Sequence, residues 1–165
     1  DAAEYERAAL AELTNELAHT YDVQVFLELG TAVAFDAGIM VGEVLDVMDN
    51  EGPVAVLDVS ATCHMPDILE APYRPALRDE CLGGQAVRLG GPSCLAGDVI
   101  GTYGFDALPQ AGDRLAFLDQ AHYSMVKTTT FNGVRLPALA IWNSDTDALR
   151  MVRTFDYADF EGRLS

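Results

Sequence analysis

From Ile39 onward the apolar residues change their spacing, and that change sets what this chain can fold into. Before it, residues 4–20 carry Leu10, Leu13 and Leu17 on one helical stripe, with Glu6, Glu12 and Glu16 off it. After it, Ile39, Val41, Leu45 and Val47 follow the two-residue period of a strand. Asn50-Glu51-Gly52 supplies a turn, and residues 54–59 supply a hairpin partner. Further strands are predicted over 85–89, 114–118, 123–130, 138–142 and 149–155, most of them separated by glycine, proline or aspartate. Many short strands with turn signals between them predict a mainly β fold, an antiparallel barrel or sandwich. The connection 63–83 is long, poor in strand signals and carries Pro66, Pro72 and Pro75.

The N-terminal helix and the apolar run 23–27 read differently. A helix followed by a buried parallel strand, with Glu28 at the strand's C-terminal end, is the layout of a site in an α/β barrel. The change of spacing therefore divides the chain into 1–38, a helix plus a strand, and 39–165, a β-domain. A single helix–strand unit lacks sheet neighbours, which are expected elsewhere in a larger protein.

Composition excludes several classes of function. At 165 residues the chain can bury a core, and no apolar run approaches the roughly 20 residues that span a membrane. A net charge of −16 repels phosphate backbones and anionic lipid, so neither nucleic acid nor membrane is an expected partner. Cys63, Cys81 and Cys94 are odd in number and lack CxxC spacing, which argues against a disulfide framework and fits a reducing cytoplasm. Cys63, His64, Cys94 and His122 do not have ordinary ligand spacing, so no metal site is expected. Of the ten basic residues nine are arginine; Lys127 is the only lysine, and it reads as a structural or surface residue on a strand.

Four clusters carry the chemistry: Glu28-Leu29-Gly30-Thr31, Ser60 to Asp67, Gly90 to Asp98, and Ala121 to Gly133. In the third, glycines and Pro92 force a tight turn around Cys94. Read locally, that thiol is either a buried cysteine in a turn or a positioned chemical group. Taken together and in order, Cys-His-Met-Pro-Asp at 63–67, Pro-Tyr-Arg-Pro at 72–75, Gly-Gly-Pro-Ser-Cys-Leu-Ala-Gly-Asp at 90–98 and the His-Tyr…Thr-Phe-Asn-Gly run resemble the C-terminal half of the pyridoxal-phosphate decarboxylases related to ornithine and diaminopimelate decarboxylase (fold type III). The resemblance is closest to the carboxynorspermidine/carboxyspermidine branch and covers about residues 20–145.

That resemblance implies a pyridoxal 5′-phosphate enzyme of polyamine biosynthesis. It pairs an N-terminal barrel with a C-terminal β-domain, and works as a homodimer with active sites shared between subunits. The lysine that anchors the cofactor is expected upstream in the barrel, so this portion alone is expected to be inactive. Glu28 matches the carboxylate that faces the pyridine nitrogen, Gly30 a close backbone approach to the cofactor, and Tyr123 a hydroxyl on its phosphate. Cys94 matches the thiol that reaches into the partner's site as a general acid. Substrate contacts fall on Asp67, Thr31, His64 and Asp98. For His64 the alternative is closing its loop, and for Asp98 bracing the cysteine loop. Leu29 and Thr31 depart from the family's Glu-Pro-Gly-Glu, and Thr31 cannot supply the charge of that second glutamate. A competing reading is a non-catalytic β-domain that binds a small cation or regulates a partner.

Overall fold

The computed structural model describes residues 6–164, with only the backbone of residue 31. The chain divides into two compact units, Asp1–Phe35 and Asp36–Ser165. In the first, helix α1 (Arg7–Tyr21) ends where Asp22 turns left-handed, φ 51°, and returns its N–H to Ala18 O. The helix expected over 4–20 is present, its first two residues lying outside the described ones. Residues 23–29 form no strand, contrary to expectation. An isolated apolar run has no ladder to join, and Phe26 stands 83% exposed. A short helix α2 (Gly30–Ala34) follows.

The second unit is built on a five-stranded sheet. Its strands are β1 (Met40–Asp49), β2 (Pro53–Leu57), β3 (Gln85–Gly90), β4 (Val99–Phe105) and β5 (Arg114–Phe117), in the order β4-β3-β2-β1-β5. β1 and β2 form the expected hairpin, in which Val47 faces Ala55. The sheet is not wholly antiparallel, however: β2 and β3 run parallel, Val54 opposite Arg88. Parallel neighbours need a long crossover, and the connection 58–84 is that crossover. It carries two single-turn helices, α3 (Ala61–His64) and α4 (Asp67–Glu70).

Two local readings change. β4 was not expected, because Gly101 and Gly104 interrupt its apolar alternation. Residues 123–130 are not a strand but helix α5 (Tyr123–Val126) followed by a short 3-10 turn, Phe131–Gly133. A separate hairpin, β6 (Leu139–Asn143) with β7 (Ala148–Arg153), and helix α6 (Tyr157–Glu161) complete the chain. The capping box of Asp156 and Asp159 starts α6.

The core sits on one face of the large sheet. Val44, Leu57, Leu89 and Phe117 meet Met65 and Ile68 from the crossover there. Tyr103 packs edge-on against Phe117, centroids 6.0 Å apart, and its hydroxyl donates to Pro75 O at 2.9 Å. This one residue ties β4 to the proline-rich part of the crossover. Burial pushes the Tyr103 hydroxyl pKa up to about 12, so it stays a donor. Gly104 lets β4 run tight against the segment before β3: Cys81 N–H donates to Gly104 O at 3.0 Å, and a β-carbon at Gly104 would land on the Cys81 carbonyl oxygen. The obstacle is backbone and cannot swing away. Gly104→Ala is therefore expected to lower unfolding free energy by about 1–3 kcal/mol in urea titration; an unchanged midpoint would contradict this packing.

Candidate active site

Asp98 joins the cysteine loop to the crossover. Its carboxylate accepts Ser60 Oγ at 2.9 Å on both oxygens, Thr62 N at 3.1 Å and Ser93 N at 3.0 Å. Ser60 caps α3 with the same hydroxyl, which accepts from Cys63 N at 3.0 Å. Burial pushes the Asp98 carboxyl up, but the hydrogen bonds from Ser93, Thr62 and Ser60 outweigh it and hold the group below the usual carboxylate range. Gly91 is required by this contact, because a β-carbon there would strike the Asp98 carboxylate and the Ser60 backbone. Asp98 is 4% exposed and its acceptor positions are filled from within the chain. These bonds brace the cysteine loop against the α3 turn.

The braced loop presents Cys94. That residue is exposed and left-handed at φ 61°, a conformation few side chains adopt unless their surroundings impose it. Asn132, itself left-handed at φ 55°, donates from Nδ2 to Ser93 O at 2.8 Å and to Cys94 Sγ at 3.1 Å. Thr129 N donates to Cys63 O at 2.8 Å, so three segments (60–64, 91–98 and 129–133) are stitched together around the thiol. Sequence reasoning quoted Asn132 but gave it no role. The Asn-Gly pair was the available signal, since asparagine tolerates left-handed backbone and carries a side-chain donor.

His64 faces inward, 1% exposed, and its Nδ1 accepts from Ser60 N at 3.1 Å. That leaves the proton on Nε2. The ring closes the α3 turn. Burial lowers the His64 pKa below 6.5. The neutral ring is the one the fold accepts, so its contribution to stability is complete above pH 6.5 and is lost as pH falls through the lowered value. Urea midpoints should fall below pH 6.5 in the native chain. This leg should flatten in His64→Asn, which keeps an acceptor near Nδ1; an equal slope in both proteins would contradict the assignment. Asp98→Asn places amide hydrogens against incoming donors and should cost about 2–4 kcal/mol at neutral pH.

Asp67, expected to receive a substrate amine, is also drawn inward. Its carboxylate accepts Tyr73 Oη at 2.5 Å and Ser124 Oγ at 3.1 and 3.2 Å. Burial, with the bond and charge of Asp67, pushes the Tyr73 hydroxyl up to about 12. Tyr123 opens α5 and is 57% exposed. Lys127, just beyond α5 and not on a strand, pairs with Glu70, which raises its pKa, and its Nζ lies 5.2 Å from the Tyr123 ring centroid. Its ammonium is committed to that pair. Glu28 and Gly30 belong to the first unit. Glu28 is exposed and its carbonyl accepts from Gly30 N at 3.0 Å. Nothing lies within 4 Å of a β-carbon built at Gly30, so local packing does not demand the glycine. Thr31 lies in α2.

A mixed sheet with a long crossover, carrying one exposed thiol on a braced glycine loop, is a recognisable domain. The family profile described as pyridoxal-dependent decarboxylase, C-terminal sheet domain, matches residues 18–121, and the chain belongs to that family. Among curated relatives it is 44% identical over 165 residues to the carboxyaminopropylagmatine decarboxylase of Synechocystis sp., covering 98% of this chain and 42% of that protein. It is 40% identical to the carboxynorspermidine/carboxyspermidine decarboxylase of Campylobacter jejuni, covering 96% of this chain and 45% of that protein. The crystal structure of carboxynorspermidine decarboxylase from Campylobacter jejuni, complexed with norspermidine, superposes with a TM-score of 0.85 at 38% identity over 97% of this chain and 47% of that one. The chain therefore spans less than half the length of these relatives.

Proposed function

We propose that this chain is the C-terminal part of a pyridoxal-phosphate decarboxylase that removes the carboxylate of a carboxylated polyamine. Carboxynorspermidine and carboxyspermidine, giving norspermidine and spermidine, are the preferred substrates in this reading. The likeness to a carboxyaminopropylagmatine decarboxylase adds a substrate that ends in a guanidinium group. Residues 1–38 close an α/β barrel, residues 39–165 form the β-domain, and the whole protein is a cytoplasmic homodimer with shared sites. The observation that carries the reading is Cys94: an exposed thiol in a left-handed conformation, held by Asn132 in front and Asp98 behind.

The residues present suit the cofactor in kind. Glu28 is an exposed carboxylate for a protonated ring nitrogen, Gly30 offers unobstructed backbone, and Tyr123 offers a half-exposed hydroxyl for a phosphate oxygen. Lys127 is held by Glu70, so the lysine that anchors the cofactor is assigned to the upstream barrel. When bound, pyridoxal phosphate supplies an electron sink for the bond that releases CO₂. With the cofactor bound, the Glu28 carboxylate would face its ring nitrogen and favour its protonated form. Cys94 Sγ would supply the proton that replaces the departed CO₂, and Asn132 Nδ2, which already donates to that sulfur at 3.1 Å, would steady the charge the sulfur gains. The buried bonds of Asp98 keep the loop from yielding as that charge moves.

The test is turnover by the full-length protein with carboxynorspermidine, carboxyspermidine and carboxyaminopropylagmatine, read as CO₂ and amine release. Decarboxylation of at least one, falling about 100-fold in kcat with Cys94→Ser, is the expected result. No turnover of any of the three, or full kcat in Cys94→Ser, would overturn the reading.

A further inference from the structure

Helix α5 is a single turn, too short to persist by itself, and its N-terminus has no side-chain cap. What holds it is helix α4. Asp67 receives Ser124 on the buried side, and Glu70 receives Lys127 on the exposed side. α4 contributes Asp67 and Glu70, and α5 with its C-cap contributes Ser124 and Lys127, each pair three residues apart, so both ties form in one register only. Slipping α5 by one residue would break both at once. Tyr123 immediately precedes Ser124, so this register fixes where its ring stands. The Lys127 ammonium lies over that ring on its way to Glu70. Asp67 itself is pinned from the other direction by Tyr73, and burial leaves it only 8% exposed. A carboxylate engaged with two hydroxyls and enclosed in this way orients its neighbours better than it greets a substrate.

We infer that Asp67 is a positioning residue: through Ser124, and with Glu70–Lys127 as a second tie, it sets the register of α5 and so the placement of the Tyr123 hydroxyl toward the cofactor phosphate. The inference rests on the reading of Tyr123 given above. It reassigns Asp67 from the substrate to the cofactor side of the site.

The experiment is titration of the full-length apoprotein with pyridoxal phosphate, followed spectrally, alongside steady-state kinetics at saturating cofactor. Asp67→Asn should raise the cofactor dissociation constant about three- to tenfold, the loss of one good hydrogen bond. Substrate KM at saturating cofactor should stay within about twofold of the native value. Ser124→Ala should reproduce the effect, and the double variant should be no worse than either single one. Lys127→Met, a change on the exposed side that introduces no buried group, should give a smaller shift in the same direction even if Asp67→Asn folds poorly. A raised KM with unchanged cofactor affinity in Asp67→Asn would overturn the inference and restore Asp67 as a substrate contact. Tyr123→Phe separates the two failures. If Tyr123→Phe leaves cofactor affinity unchanged, the reading of Tyr123 fails and the inference with it. If it weakens binding while Asp67→Asn and Lys127→Met do not, only the inference fails.

Discussion

The site depends on one buried carboxylate. Among the described residues Asp98 forms no ion pair; two backbone N–H groups and a serine hydroxyl satisfy it. Those three donors come from both sides of a chain crossing, the α3 turn and the cysteine loop, so the contact is also what registers one against the other. Removing such a group leaves several donors unpaired in a dry place, which costs far more than the net worth of any one bond. Strain at Cys94 can be tolerated there because the surrounding bonds over-determine its conformation.

The parallel pairing of β2 and β3 explains why the crossover is at hand to be used. A hairpin would have needed only a few residues between those strands, whereas a parallel neighbour requires the chain to travel back along the sheet. That return brings α3 and α4 over the sheet's core face, where Met65 and Ile68 bury against Leu57 and Leu89. The same two helices then offer polar edges outward. α3 serves the cysteine loop through Ser60, and α4 serves α5 through Asp67 and Glu70. One connection thus anchors both the loop that carries the Cys94 thiol and the helix that Tyr123 opens.

Much of this was legible in the chain before its structure. The β1–β2 hairpin and β5 could be read because short runs rich in Val, Ile, Leu and Phe lie beside turn residues, and the glycine loop announced Cys94. The parallel pair was not legible, since periodicity says nothing about strand direction. β4 escaped because Gly101 and Gly104, needed for close approach, remove the side chains that make alternation visible. α5 was mistaken for a strand because Tyr-Ser-Met-Val-Lys-Thr also alternates, and only the contacts of Ser124 and Lys127 with α4 decide in favour of a helical turn. His64 and Asp98 read as candidates for substrate because their chemistry is visible in sequence and their burial is not. The motif resemblance identified the family; it could not distinguish residues that face the site from those that hold it up.

The most direct test of this account is a carbon-13 NMR titration of the Asp98 carboxyl, with amide exchange followed at Ser93 and Thr62. An ordinary aspartate is half protonated near pH 3.8. The account predicts that Asp98 is still predominantly ionised there, with both amides protected. A midpoint at or above that pH, with the two amides exchanging freely, would contradict the claim that this carboxylate holds the cysteine loop in place.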